Sequence, residues 1–226
     1  KQKADYKPAT INNHLTVLRK MLDVAVEWGM LEVLPKFKWL KVPQQEFKYF
    51  DIEQAQALIA KADAQWRPMI LTALRAGLRQ GELLGLRWQD VDFERRSIVV
   101  RQAIVRGQLG PTKSGLHRSV YMCEQLYDEL KSFRHLKGDL VFCNADGSAL
   151  SYGQCKWPLY RACDRAGLER VGWHVLRHSF ASHLVMLGQP LKAVQELLGH
   201  KDIRVTMRYA HLCPKVRQQA VAALDN

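Results

Sequence analysis

The sequence predicts a mostly helical α+β protein with a small antiparallel sheet, and three observations carry that expectation. Apolar residues recur at three- and four-residue spacing over most of the 226 positions. Only two short runs with the β-branched and aromatic residues of strands interrupt them, Ser97–Arg101 and Arg118–Met122. Glycines fall between these segments rather than within them, as punctuation.

The elements follow in order. Ile11, Leu15, Leu18, Leu22 and Ala25 share one helical row, and Val17, Met21, Val24 and Trp28 form a second beside it. So wide a stripe belongs inside a bundle, yet the rest of this segment supplies little to pack against it. Gly29 and Pro35 close the helix, and residues 35–48, with Pro35, Pro43, Gln44 and Gln45, read as a linker. The expected division is residues 1–48, the tail of an incomplete helical domain plus linker, and residues 49–226, a larger second domain. Because the first residue is Lys1 rather than Met, the chain is expected to be a fragment of a longer protein.

The second domain opens with Asp51-Ile52-Glu53-Gln54, an N-cap with Gln three residues on. Helices are predicted over 51–62 and 67–76, with Gly77 as a stop. The two strand-like runs flank a turn region containing Gly and Pro. Helical patterns return over 124–135 and 154–166. Three or four more run from 173 to the end, punctuated by Gly188, Pro190, Gly199 and Pro214.

Composition narrows the partners. Lys and Arg total 34 against 22 Asp and Glu, a net charge of +12, which favours a polyanion. No apolar run approaches the ~20 residues needed to span a bilayer, and no signal peptide is visible, so nucleic acid is expected rather than a membrane. The five cysteines, Cys123, Cys143, Cys155, Cys163 and Cys213, form no Cys-x-x-Cys pair and suit neither zinc nor a disulfide scaffold. They read as reduced, mostly buried residues of a cytoplasmic protein.

The chemistry-bearing residues gather late in the chain. His174-Val175-Leu176-Arg177-His178 is followed by Leu198-Gly199-His200 and then Arg208-Tyr209, while Arg79 stands far upstream in Gly77-Leu78-Arg79-Gln80-Gly81-Glu82. An arginine fork pairs with phosphate oxygens, an imidazole moves protons near neutral pH, and a phenol can attack phosphorus. A phosphodiester suits the set. His174 and His178, four apart, share a helix face and raise a zinc reading; no Glu follows His174 and no third ligand is evident, so neither metal nor cofactor is expected. His178 reads as structural.

This series resembles the tyrosine recombinase (phage integrase) family. Arg79 and Arg177 are similar to the arginines of its Gly-Leu-Arg-x-Gly-Glu and His-x-Leu-Arg-His motifs, and Tyr209 stands nine residues after His200, as the family's nucleophile does after Leu-Gly-His. Lys113, in Gly110-Pro111-Thr112-Lys113-Ser114-Gly115, resembles the family's lysine in a turn between two strands; Val120-Tyr121-Met122 departs from the family, which commonly has a Pro there. The likeness covers residues 49–226. Residues 9–48 resemble, more loosely, the last helices of the family's core-binding domain, which clamps the opposite face of DNA.

The resemblance implies a site-specific DNA recombinase of phage or mobile-element type. Tyr209 would attack the scissile phosphate to give a 3′-phosphotyrosyl link, which conserves the bond energy so that resealing requires neither ATP nor metal. Arg79 and Arg177 would hold the non-bridging oxygens. His174 would carry the phenol's proton, His200 would donate to a phosphate oxygen, Lys113 would protonate the departing 5′-oxygen, and Glu82 would support a helix or an arginine. The implied partners are double-stranded DNA at recombination sites, a homotetramer exchanging strands through a Holliday junction, and accessory DNA-bending proteins. The implied location is the bacterial cytoplasm, at the nucleoid while acting on DNA. Leu212, Val216, Ala220, Val221 and Leu224 form one stripe, so residues 212–224 are expected to dock on a neighbouring protomer, the alternative being a fold-back on the same domain. Xer-like chromosome or plasmid resolution, type IB topoisomerase-like nicking and closing, and a DNA-binding regulator on a decayed scaffold are the competing readings. The intact set of six residues speaks against decay.

Overall fold

The computed structural model describes residues 6–43, 47–111 and 117–212. Two compact units divide the chain, Lys1–Glu46 and Phe47–Asn226. In the first, helix α1 (Pro8–Glu27) starts on a proline, whose fixed φ and missing N–H suit a first turn. No described residue of this unit is buried, and Val17, Met21 and Trp28 are 62%, 64% and 74% exposed. What ties the following segment to the helix is polar. The Asn12 amide donates to the Leu40 carbonyl at 2.9 Å and accepts from the Leu40 N–H at 3.0 Å.

The second unit is built around α3 (Arg67–Ala76), buried from Pro68 to Leu74 and again at Ala76. A helix buried on nearly every face must be covered on every side, and α7 (Trp173–Met186), α5 (Glu124–Phe133) and α2 (Ile52–Lys61) cover it. Helix α2 begins with the expected capping box: Asp51 accepts from the Gln54 N–H at 2.8 Å, and the Gln54 side chain accepts from the Asp51 N–H at 3.1 Å. Gly77 stops α3 in the left-handed region at φ 63°, and the Phe180 ring of α7 lies so close that an added Cβ would fall 2.3 Å from Cδ1. No other residue fits that position without displacing the ring. The short helix α4 (Gln80–Leu84) follows directly.

Strands β1 (Val91–Asp92), β2 (Ser97–Val100) and β5 (Arg118–Tyr121) form an antiparallel sheet in the order β1-β2-β5. The two strands expected from sequence pair with each other from Ser97↔Tyr121 to Val100↔Arg118, and this register turns Ile98 and Val120 into the core. Between them the expectation of a turn region is corrected. Residues 102–111 form a second hairpin, β3 (Gln102–Val105) and β4 (Gln108–Pro111), whose two-residue loop is Arg106-Gly107 at φ 53° and 79°. Two successive positive φ values give the loop the twist that matches paired strands. The hairpin packs on α4, and the Gln102 amide donates to the Gly85 carbonyl at 2.8 Å.

Helix α6 (Lys156–Arg165) packs on α2. Helices α8 (Leu191–Leu198) and α9 (Ile203–Met207) and a short 3₁₀ turn (Ala210–Leu212) complete the described part. Cys143, Cys155 and Cys163 are buried as expected, and Cys123 is exposed at the start of α5. Among the described residues no helix is long and apolar enough to cross a membrane. Lys113 and the tail beyond Leu212 lie outside the described residues.

Candidate active site

The last carbonyls of an α-helix have no partner within it, and the helix dipole leaves that end negative. This site is assembled on two such ends. Arg177, projecting from α7 and only 2% exposed, donates from Nη1 to the Gly77 carbonyl closing α3 at 2.6 Å and from Nη2 to the Leu198 carbonyl closing α8 at 2.5 Å. Arg118 at the start of β5 donates from Nε to the Leu197 carbonyl at 2.8 Å. Backbone dipoles thus offset the cost of burying guanidinium groups. Burial, with Arg79 adjacent, still pulls the Arg177 pKa down to about 9, and it remains a cation at neutral pH.

Glu82 on α4 is the counter-charge. Arg118 grips it with two donors, Nη1 to Oε1 at 3.0 Å and Nη2 to Oε2 at 2.6 Å. Arg79, at the N-cap of α4, donates its backbone N–H to Oε2 and Nη1 to Oε1, each at 2.8 Å. Arg177 Nη1 stands 3.9 Å from Oε2. Burial by itself would raise the Glu82 pKa, but the Arg118 bonds and the charges of Arg118 and Arg177 outweigh it and hold the carboxyl at about 2. The expected support from Glu82 therefore takes a specific form, a buried carboxylate shared by three arginines. Arg79 keeps its side chain partly exposed on this anchor.

Tyr209 follows α9 and is 2% exposed. The Phe47 ring meets its ring edge-on, at 4.8 Å and 72°. Its Oη lies 2.6 Å from Nδ1 of His178. Burial raises the phenol's pKa, against the pull of Arg177 and Arg208, so it is a neutral O–H near pH 7. His178 is neutral too: burial, then His174 and the cations around it, lower its pKa to about 3. His174 stacks edge-on against His178 at 4.5 Å, more exposed, and its pKa is lowered by burial, Arg177 and Arg79. His200 holds Nδ1 2.9 Å from the Thr206 hydroxyl, and burial with Arg177 and Arg79 takes its pKa to about 4. When Thr206 donates, the neutral imidazole carries its proton on Nε2.

Arg79, His174, Arg177, His200 and Tyr209 therefore line one pocket of about 370 Å³, joined by His178, Lys201, Asp202 and Arg208. Four participants escape the sequence reading. Arg118 carries no local signal, because its partners are 36 and 79 residues away. His178, structural by its spacing alone, touches the phenolic oxygen. Phe47, within the expected linker, packs on Tyr209. Arg208, beside the more conspicuous Tyr209, adds a cation over the Phe47 ring at 5.6 Å.

Three guanidinium groups, imidazoles and a tyrosyl oxygen around one pocket define a site fitted to a phosphodiester. The chain belongs to the Phage integrase family, whose model matches residues 48–215. It is 31% identical to a tyrosine recombinase XerC-like protein of Caldanaerobacter subterraneus over 92% of this chain and 64% of that one. It is 28% identical to the integrase of Escherichia phage 186 over 96% of this chain and 60% of the relative, and 28% identical to that of Salmonella phage P22 over 100% and 61%. The chain thus spans a little over three-fifths of the length of these curated relatives. Among solved structures, the catalytic domain of bacteriophage HP1 integrase is 27% identical, with a TM-score of 0.60 over 78% of this chain and 95% of that one. The Tn1549 transposon integrase, solved with circular intermediate DNA, superposes with a TM-score of 0.81 over 97% and 80% at 21% identity, a likeness of fold.

Proposed function

We propose that this chain is the catalytic part of a site-specific DNA recombinase that cuts and rejoins DNA through a 3′-phosphotyrosyl intermediate. The observation that carries the reading is the convergence of the Tyr209 oxygen with Arg79, Arg177, His174 and His200 around one cationic pocket. Arg79 and Arg177 neutralise the non-bridging oxygens of the scissile phosphate, and the Glu82 anchor keeps Arg79 oriented without quenching it. His200 donates a hydrogen bond to a phosphate oxygen, and His174, the more exposed imidazole, passes the phenol's proton outward. Lys113 protonates the 5′-oxygen. Because the phosphotyrosyl bond stores the energy of the broken phosphodiester, the reverse attack reseals DNA without ATP or a metal.

The net charge of +12 supports double-stranded DNA as the partner. Residues 1–48, with their uncovered apolar helix, serve as part of a DNA-clamping domain, and residues 49–226 carry the chemistry. Strand exchange takes place in a homotetramer on two duplexes, with accessory DNA-bending proteins, in the bacterial cytoplasm. Phage or mobile-element integration is the leading use. Xer-type resolution stands second; a XerC-like relative at 31% identity, beside phage integrases at 28%, supports it. The test is a nicked suicide duplex, run on a denaturing gel. The wild type should leave a detergent-resistant protein–DNA band and Tyr209→Phe none, with DNA binding intact; an adduct from Tyr209→Phe would place the nucleophile elsewhere.

A further inference from the structure

Tyr209 lies beyond α9, and its position relative to the phosphate-binding arginines is not set by the chain around it alone. We infer that His178 is a positioning residue for the nucleophile, accepting the phenolic O–H at Nδ1 and fixing the direction in which Oη is presented. The inference rests on Tyr209 being the nucleophile.

Four observations lead to it. The Nδ1–Oη separation is 2.6 Å, a short, well-formed bond to the very atom that would react. The Tyr209 ring is nearly buried and held on its edge by Phe47, so the remaining freedom is where Oη points, and a buried hydroxyl takes the direction of its partner. His178 immediately follows Arg177 on α7, and the Arg177 fork is fixed on the carbonyls of Gly77 and Leu198. One turn of one helix therefore sets both the guanidinium that meets the phosphate and the acceptor that aims the phenol. Finally, the edge-on ring of His174 at 4.5 Å limits rotation of the His178 ring.

The phenol donates, so Nδ1 is bare and the His178 proton sits on Nε2. Burial and the surrounding cations keep the ring unprotonated near neutral pH, so in this state it accepts a hydrogen bond without taking the proton. The phenol's single proton points at Nδ1 while His178 aims Oη, and turns from Nδ1 to His174, which takes it, as Oη attacks phosphorus.

Two substitutions in the full chain distinguish aiming from proton transfer. In His178→Asn the new amide would put its Oδ1 near the place of Nδ1; it accepts the bond and takes no proton. Single-turnover cleavage of the suicide duplex should fall about 10²-fold in His178→Ala, the cost of a misplaced reacting group, and stay within about tenfold of wild type in His178→Asn. DNA affinity should hold in both. In ¹⁵N histidine spectra of the free protein, Nδ1 of His178 should resonate as a hydrogen-bonded acceptor and shift toward a free imidazole nitrogen in Tyr209→Phe. Wild-type cleavage rates in His178→Ala would overturn the inference. So would His178→Asn cleaving as slowly as His178→Ala, which would make His178 a proton acceptor instead. A wild type that never forms an adduct would refute the recombinase reading, and the Tyr209→Phe spectrum would still decide whether the contact exists.

Discussion

Glu82 offers the sharpest quantitative test of how the site is held together. It is a buried carboxylate gripped by Arg118 and Arg79, with Arg177 within 3.9 Å. Its pKa of about 2, against an ordinary 4.5, makes the ionised form worth about 3 kcal/mol to the fold at neutral pH, at about 1.4 kcal/mol per unit. Glu82→Gln forfeits this and leaves the nearly buried Arg118 fork without its counter-charge, so the total loss should be about 3–5 kcal/mol. With a urea slope of about 2–3 kcal/mol per molar, the unfolding midpoint should drop by roughly 1–2.5 M. The sign with pH follows from a depressed pKa. The contribution is complete above about pH 4.5 and is lost as pH falls toward about 2, so less than half should remain near pH 3. Urea titrations of wild type and Glu82→Gln, followed by tryptophan fluorescence, should show a constant gap from neutral pH to about 5 that narrows below about 4.5. A gap under about 1 kcal/mol at neutral pH, the size of a surface pair, would refute the reasoning. A gap already closing between neutral pH and about 5 would do the same.

Two other outcomes follow from the same framework. Arg118→Ala removes two of the four donors to Glu82 and the cap on the Leu197 carbonyl; urea unfolding should show a loss of about 3 kcal/mol, and Glu82, its pKa rising toward the ordinary value, should give up its protection at higher pH than in wild type. Gly77→Ala forces a positive φ and drives a Cβ into the Phe180 ring. It should cost about 2–5 kcal/mol in thermal or urea unfolding, and Phe180→Leu in the same chain should restore part of that loss.

The sequence made the helices legible because apolar periodicity and caps are local: Asp51 with Gln54, and Gly77 at a helix end, are visible within a few residues. The hairpin at 102–111 was not, since its loop begins with Arg106 at positive φ, a residue that gives no turn signal. At the site, motif spacing singled out Arg79, Arg177, His200 and Tyr209, and the fold brings them to one pocket. What could not be read was how they are fixed. Arg177 is held by backbone carbonyls, which every sequence has, and Arg118 reaches Glu82 across 36 residues. His178 looked like half of a structural pair because i+4 spacing shows its neighbour on the helix and not the tyrosine 31 residues downstream.

The central claim is that the Tyr209 oxygen becomes covalently joined to DNA. Trapping the chain on a nicked suicide duplex, digesting the DNA to a short remnant and mapping the tryptic peptides by mass spectrometry tests it directly. The expected result is a nucleotide adduct on the peptide Tyr209-Ala210-His211-Leu212-Cys213-Pro214-Lys215, with fragment ions placing it on the tyrosine. An adduct on any other peptide, or trapped DNA released by denaturation alone, would contradict it.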